Sequence, residues 1–173
     1  MPQYIANPTS RKQIRDFTNM LRRLTGLYDE PYFPIVEFLE LAMPKIFTAF
    51  EYEIVSTSEM PNEYGVTYPE KNKICIREDV YDRAIAGVER DRFTIAHEIG
   101  HFILHKPGNI ALARSDLHQE IPAYRQPEWQ ANTFAGELLA PPQIISGLNK
   151  NEISSKCGVS LQVSEIQLKN INK

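Results

Sequence analysis

Cysteine is scarce in this chain: Cys75 and Cys157 are the two in 173 residues. They stand far apart and form no C-x-x-C pair, which speaks against a cysteine-built metal or redox site and suggests a reducing compartment. Charge of one sign is lacking too. The net charge of -3 leaves no basic footprint for nucleic acid. No long apolar run is present. The most apolar stretch, Pro34 to Phe50, contains Glu37, Glu40, Pro44 and Lys45, and is too short and too charged to span a bilayer. The opening residues, Met1-Pro2-Gln3-Tyr4-Ile5, carry no apolar h-region, so the expectation is a cytoplasmic protein that is not exported. Repeats and low-complexity segments are absent. The hydrophobic share of 42% and charged share of 24% are ordinary, and the length suffices for one domain with a real core.

Histidine is also sparse, at four residues, yet two fall in His97-Glu98-Ile99-Gly100-His101. A shuffled chain of this composition would show H-E-x-x-H about once in a hundred trials. The surroundings favour a helix. Asp91 to His105 holds no proline, and Phe93, Ala96, Gly100, Ile103 and Leu104 recur at helical spacing. Asp91 suits the start and Pro107-Gly108 the stop. On such a helix His97 and His101 share a face and can reach one metal ion, with Glu98 beside it as general base.

A catalytic zinc takes three protein ligands. Candidates for the third are His105, Asp116, His118, Glu120, Glu128 and Glu137. Glu128 is favoured. It opens a second helical segment, Glu128 to Leu139, in which Asn132 shares its face and can orient a ligand histidine by a hydrogen bond. Ala131, Ala135 and Gly136 would let that helix pack closely on the first. His105 reads as a supporting residue, because Pro107 ends the helix beside it.

Two blocks carry a family resemblance. Phe93-Thr94-Ile95-Ala96-His97-Glu98-Ile99-Gly100-His101 is followed by Glu128-x-x-Ala131-Asn132-x-Phe134-Ala135-x-Glu137-Leu138-Leu139-Ala140-Pro141. Together they resemble the ImmA/IrrE family of metallopeptidases, over roughly residues 50–145; Ala140 stands where many members have methionine. The resemblance implies a gluzincin-like enzyme with zinc on His97, His101 and Glu128, and Glu98 as the catalytic base. It implies a protein substrate, a helix-turn-helix repressor of a mobile element or stress regulon. Manganese or iron can occupy the same ligands. The competing reading is a metal-binding regulator or toxin–antitoxin component that docks on a repressor without cutting it.

The expected fold class is α+β: a mostly helical single domain over 1–173, with a three-stranded antiparallel sheet ahead of the H-E-x-x-H helix. Residues 1–50 would form N-terminal helices, 51–141 the catalytic core and 142–173 a helical tail. Ser10 to Tyr28 reads as an amphipathic helix capped by Ser10, with Ile14, Phe17, Leu21 and Leu24 inward and Arg11, Lys12, Arg15, Arg22 and Arg23 on a solvated face. Pro34 to Phe50 reads as a helix kinked or split at Pro44. Tyr52–Val55, Tyr64–Tyr68 and Lys73–Arg77 read as strands, the last two joined by a turn at 69–72, with Val66-Thr67-Tyr68 as an edge able to pair with an extended substrate. Asp79 is the expected cap of the next helix. Tyr124 or Arg125 could stabilise an oxyanion, though loop residues seldom do. The tail is expected to form two short helices around Gly158-Val159-Ser160, as a structural cap or a docking element for substrate, with direct DNA binding disfavoured.

Overall fold

The computed structural model of the protein describes residues 4–108, 110–112 and 120–173. Asp116 and His118 lie outside the described residues. The fold is α+β, mainly helical with little sheet.

Helices α5 (Glu89–Leu104) and α6 (Pro127–Leu139) pack side by side at the centre. Gly100 permits that approach. A Cβ there would lie 3.1 Å from Phe134 Cβ and 3.2 Å from Ala131 Cα. The apolar side of α5 is broader than its sequence pattern implied. Ile95, Ala96, Ile99 and Phe102 are buried, while Phe93, Ile103 and Leu104 are only half-buried. The helix is covered by neighbours on several sides, so one stripe does not describe it.

Helix α1 (Arg11–Leu24) begins with a capping box: Ser10 Oγ accepts from the Gln13 amide at 3.2 Å and Gln13 Oε1 accepts from the Ser10 amide at 2.8 Å. Ile14 and Leu21 are buried as expected, but Leu24 is exposed. The basic face is not a solvated one throughout. Arg11 and Arg15 turn inward to Glu137, and Arg22 is fully buried, donating to the carbonyls of Leu138 (2.7 Å) and Glu30. Those carbonyls and the Phe33 ring under the guanidinium offset its desolvation.

The Pro34–Phe50 segment is one continuous helical run that passes through Pro44 without a break and ends at Ile46, short of Phe50. Helix α2 (Ile35–Glu37) runs through a π-helical turn, Phe38–Ala42, into α3 (Met43–Ile46). Pro44 has no N–H and would clash with the preceding turn, so the wider turn precedes it.

Strands β2 (Glu51–Val55), β3 (Gly65–Tyr68) and β4 (Lys73–Arg77) form a sheet in the order β2-β4-β3. β3 and β4 are an antiparallel hairpin, turned by Pro69–Lys71 and by Asn72 at φ 50°. β2 instead lies parallel to β4, so the sheet is mixed and not antiparallel throughout. Burial explains the order. Ile74, Cys75 and Ile76 are all buried, which demands a central strand, whereas β2 is half solvated and takes an edge. β3 is the other edge and lies against α5.

A second pairing was not anticipated: β1 (Tyr4–Ala6) runs antiparallel to β5 (Ile110–Leu112), Tyr4 opposite Leu112. Helix α4 (Glu78–Ile85) is not capped by Asp79. That carboxylate instead pairs with Arg77 at 2.6 Å and Arg83 at 2.9 Å. In the tail, α7 (Pro142–Ile145) leads to α8 (Lys150–Cys157), capped by Asn149, and to α9 (Leu161–Lys169). Gly158 makes the turn between them at φ 63°. α9 packs back on α6, where Gln167 Nε2 donates to the Ala140 carbonyl at 3.1 Å. Buried Arg92 closes the end of α8 by donating to the carbonyls of Cys157 and Gly158. Among the described residues no helix is long and apolar enough to cross a membrane.

Candidate metal centre

His97 and His101 stand on successive turns of α5 and face the first turn of α6, where Pro127 starts the helix and Glu128 follows. Their Nε2 atoms are 3.0 Å apart. Glu128 Oε2 lies 3.2 Å from His97 Nε2, and Oε1 lies 3.0 Å from His101 Nε2. One ligand atom from each residue falls within 4.8 Å of the others, and among the described residues this is the one such grouping.

The outer nitrogens decide what these atoms can do. His97 Nδ1 is 2.8 Å from Asn132 Oδ1, an acceptor, and so carries the proton of a neutral ring. His101 Nδ1 is 2.8 Å from His105 Nδ1. With both protons directed outward, two bare Nε2 lone pairs and one carboxylate converge with no donor among them. A positive charge at the centre of such a cluster would be bound by all three. Two imidazoles and a carboxylate are a donor set that zinc takes, and manganese or iron as well. Without an ion the same nitrogens can carry protons instead: hydrogen bonds from His101 and then His97 hold Glu128 well below the usual carboxylate range, and a bound cation would take the place of those protons. Burial opposes charge on His97, yet Glu128, Glu98 and Asn132 together outweigh it and raise its pKa. His105 behaves oppositely: burial lowers it to about 4 and keeps it neutral.

Glu98, 8% exposed, is held from the sheet side. Thr67 Oγ1 lies 2.7 Å from Glu98 Oε2 and 3.0 Å from the Glu98 carbonyl oxygen. Gly65 leaves room for it, since a Cβ there would be 2.8 Å from Glu98 Cγ. Strand β3 therefore forms one wall of a cleft of about 1260 Å³. Gly65, Val66 and Thr67 line that wall; His97, Glu98, His101 and Glu128 line the floor and opposite side.

The structure separates the remaining candidates. His105 is buried, hydrogen-bonded to His101, and lies outside the ligand grouping although it reaches the cleft lining. Glu137 is buried at the far end of α6, paired with Arg11 at 2.8 Å and Arg15 at 2.8 Å. Glu120 is exposed on the cleft rim. Tyr124 and Arg125 do not line this cleft; Tyr124 lines a second, more apolar groove beyond Asn132. Three contributors were not read from the sequence: Thr67 as a partner of Glu98, Gly65 as its clearance, and Gln130 behind His105. Thr67 was visible only as an edge-strand residue, since nothing local pairs it with Glu98.

An α+β fold in which an H-E-x-x-H helix meets an acid from the next helix is an arrangement of metal-dependent peptidases. The family model for the IrrE N-terminal-like domain, peptidase family M78, matches residues 80–170, more than half of the chain, and the chain belongs to that family. The matched span runs from α4 through both site helices into α9. No curated protein matches the chain. Membership gives a metallopeptidase-type function and, with it, a protein or peptide substrate.

Proposed function

We propose that this protein is a zinc-dependent endopeptidase in which His97, His101 and Glu128 hold the metal and Glu98 is the general base. The convergence of three acceptor atoms beside a buried, hydrogen-bonded carboxylate carries this reading. The cation, when bound, acts as a Lewis acid on the peptide carbonyl and on water. Glu98 takes the proton of the attacking water and hands it to the leaving amine. Thr67 fixes one Glu98 oxygen and leaves the other for that proton. Asn132 orients His97 through Nδ1. The outer edge of β3, paired among the described residues only with β4, is placed to align an extended peptide along the cleft by main-chain hydrogen bonds.

For the substrate we propose a helix-turn-helix repressor, met in the cytoplasm; its support is the resemblance to ImmA/IrrE enzymes. The test is a matched pair, wild type and Glu98→Gln, loaded with zinc and offered a candidate repressor. Glu98→Gln is expected to keep the metal and the fold and to lose ~10²-fold or more in turnover. Cleavage at the wild-type rate would remove Glu98 from the mechanism. Repressor release by both proteins without any cut would establish docking in place of proteolysis.

A further inference from the structure

Behind His101, a chain of side-chain hydrogen bonds runs to the backbone. Gln130 Nε2 lies 2.8 Å from the Asn7 carbonyl and 2.8 Å from the Tyr124 carbonyl. Both oxygens only accept, so the amide nitrogen must face them and Oε1 must face His105. Gln130 Oε1 is 2.9 Å from His105 Nε2 and also only accepts, which places a proton on that nitrogen. The contact between the two Nδ1 atoms holds one proton; His105 is 1% exposed and neither of its ring nitrogens is hydrogen-bonded to a carboxylate, so its one proton is the Nε2–H that Gln130 requires. Its Nδ1 is then bare, and the proton in the 2.8 Å contact between the two Nδ1 atoms belongs to His101. The remaining nitrogen of His101, Nε2, carries a lone pair aimed at His97 and Glu128.

We infer that His105 and Gln130 are positioning residues that set the His101 tautomer, and that two backbone carbonyls, of Asn7 and Tyr124, set theirs. Metal-binding histidines commonly donate their outer N–H to a carboxylate or a carbonyl. Here a second imidazole and an amide carry that instruction to a carbonyl pair outside the α5 helix. The consequence is a link between metal affinity and the seating of two segments: the residues between β1 and α1, and the Ala123–Arg125 turn before α6. The order of the protons stands on hydrogen-bond geometry alone; only its consequence for the metal rests on the ligands proposed above.

The test is long-range proton–nitrogen correlation of the imidazoles in the full-length, nitrogen-15-labelled protein, whose four histidines keep the spectrum simple. His105 is expected as the Nε2–H tautomer in metal-free and zinc-loaded protein alike. An Nδ1–H ring, or a doubly protonated one near neutral pH, would overturn the inference without any variant having to fold. Zinc titration supplies the second readout. His105→Leu is expected to weaken zinc ~10-fold or more, while His105→Asn, whose Oδ1 can accept from His101 Nδ1, retains most of the affinity. Equal zinc affinity for wild type and His105→Leu would contradict a positioning role. If wild type bound no zinc, the ligand assignment would fall, while the His105 tautomer would still decide the relay.

Discussion

Helix α6 carries two acids with opposite surroundings, Glu128 in its first turn and Glu137 in its last. Glu137 has no exposed surface, and its oxygens receive three guanidinium hydrogen bonds, two from Arg15 and one from Arg11. Its charge is cancelled within the fold. Glu128 has a side chain 73% exposed, and its nearest polar neighbours are two imidazole nitrogens whose protons point elsewhere. Under the proposed ligation, its cluster takes its positive charge from a bound cation. A neutralised acid ties elements together; an unneutralised one beside other acceptors is poised for a cation. The same residue type on one helix thus serves the fold at one end and the proposed chemistry at the other.

The largest expected effect breaks the structural end. Glu137→Ala leaves the largely buried Arg11 and Arg15 without their counter-charge between α1 and α6, and should cost ~3–5 kcal/mol in chemical denaturation. A cost below about 1 kcal/mol would mean that the arginines find solvent and that the pairing is incidental. Glu128→Ala should give the reverse pattern. Metal-free stability should fall by no more than about 1 kcal/mol, because the side chain is exposed and its pairing with the two imidazoles is screened by solvent. Wild type at zinc one hundred times its dissociation constant should gain about 2.7 kcal/mol, and the variant none. Cleavage should fall ~10²-fold or more. If Glu128→Ala kept the zinc-induced gain, the third ligand would be another residue. Gly65→Ala is a smaller, finer probe. Its methyl displaces Glu98 and touches no proposed ligand, so turnover should drop roughly tenfold to a hundredfold while zinc content holds.

The contrast between the two acids was only half legible beforehand. Glu128 was visible because it opens a helix with Asn132 one turn on, and because the histidines four apart on another helix leave a ligand missing. The family's paired motifs pointed the same way. Glu137 stood among the candidate ligands, since no local pattern reveals that Arg11 and Arg15 lie across from it. The inward arginines were hidden for the same reason. Charge patterning treats a basic face as solvated, yet Arg22 and Arg92 are drawn inside by helix-end carbonyls and by the rings of Phe33 and Tyr32. Strand identity was readable from alternation, but neighbour order was not. β2 beside β4, and β1 beside β5, are pairings made by the fold between segments with no turn joining them.

The smallest expected effect isolates burial from pairing. Asp79 also faces two arginines, Arg77 and Arg83, but at the surface, with its side chain 31% exposed. Arg77 first and Arg83 with it hold its carboxyl well below the usual carboxylate range. A carboxyl more acidic folded than unfolded contributes stability above its unfolded pKa, about 4, and loses it as pH falls through the folded value. Asp79→Asn should therefore be slightly less stable than wild type near neutral pH, and the gap should close in acid. It should also shrink in 1 M salt, where the screening length falls to about 3 Å, whereas the deficit of Glu137→Ala should persist. A salt-independent loss at Asp79 as large as that at Glu137 would show that two-arginine pairing, and not its removal from water, makes the acid at the end of α6 structural.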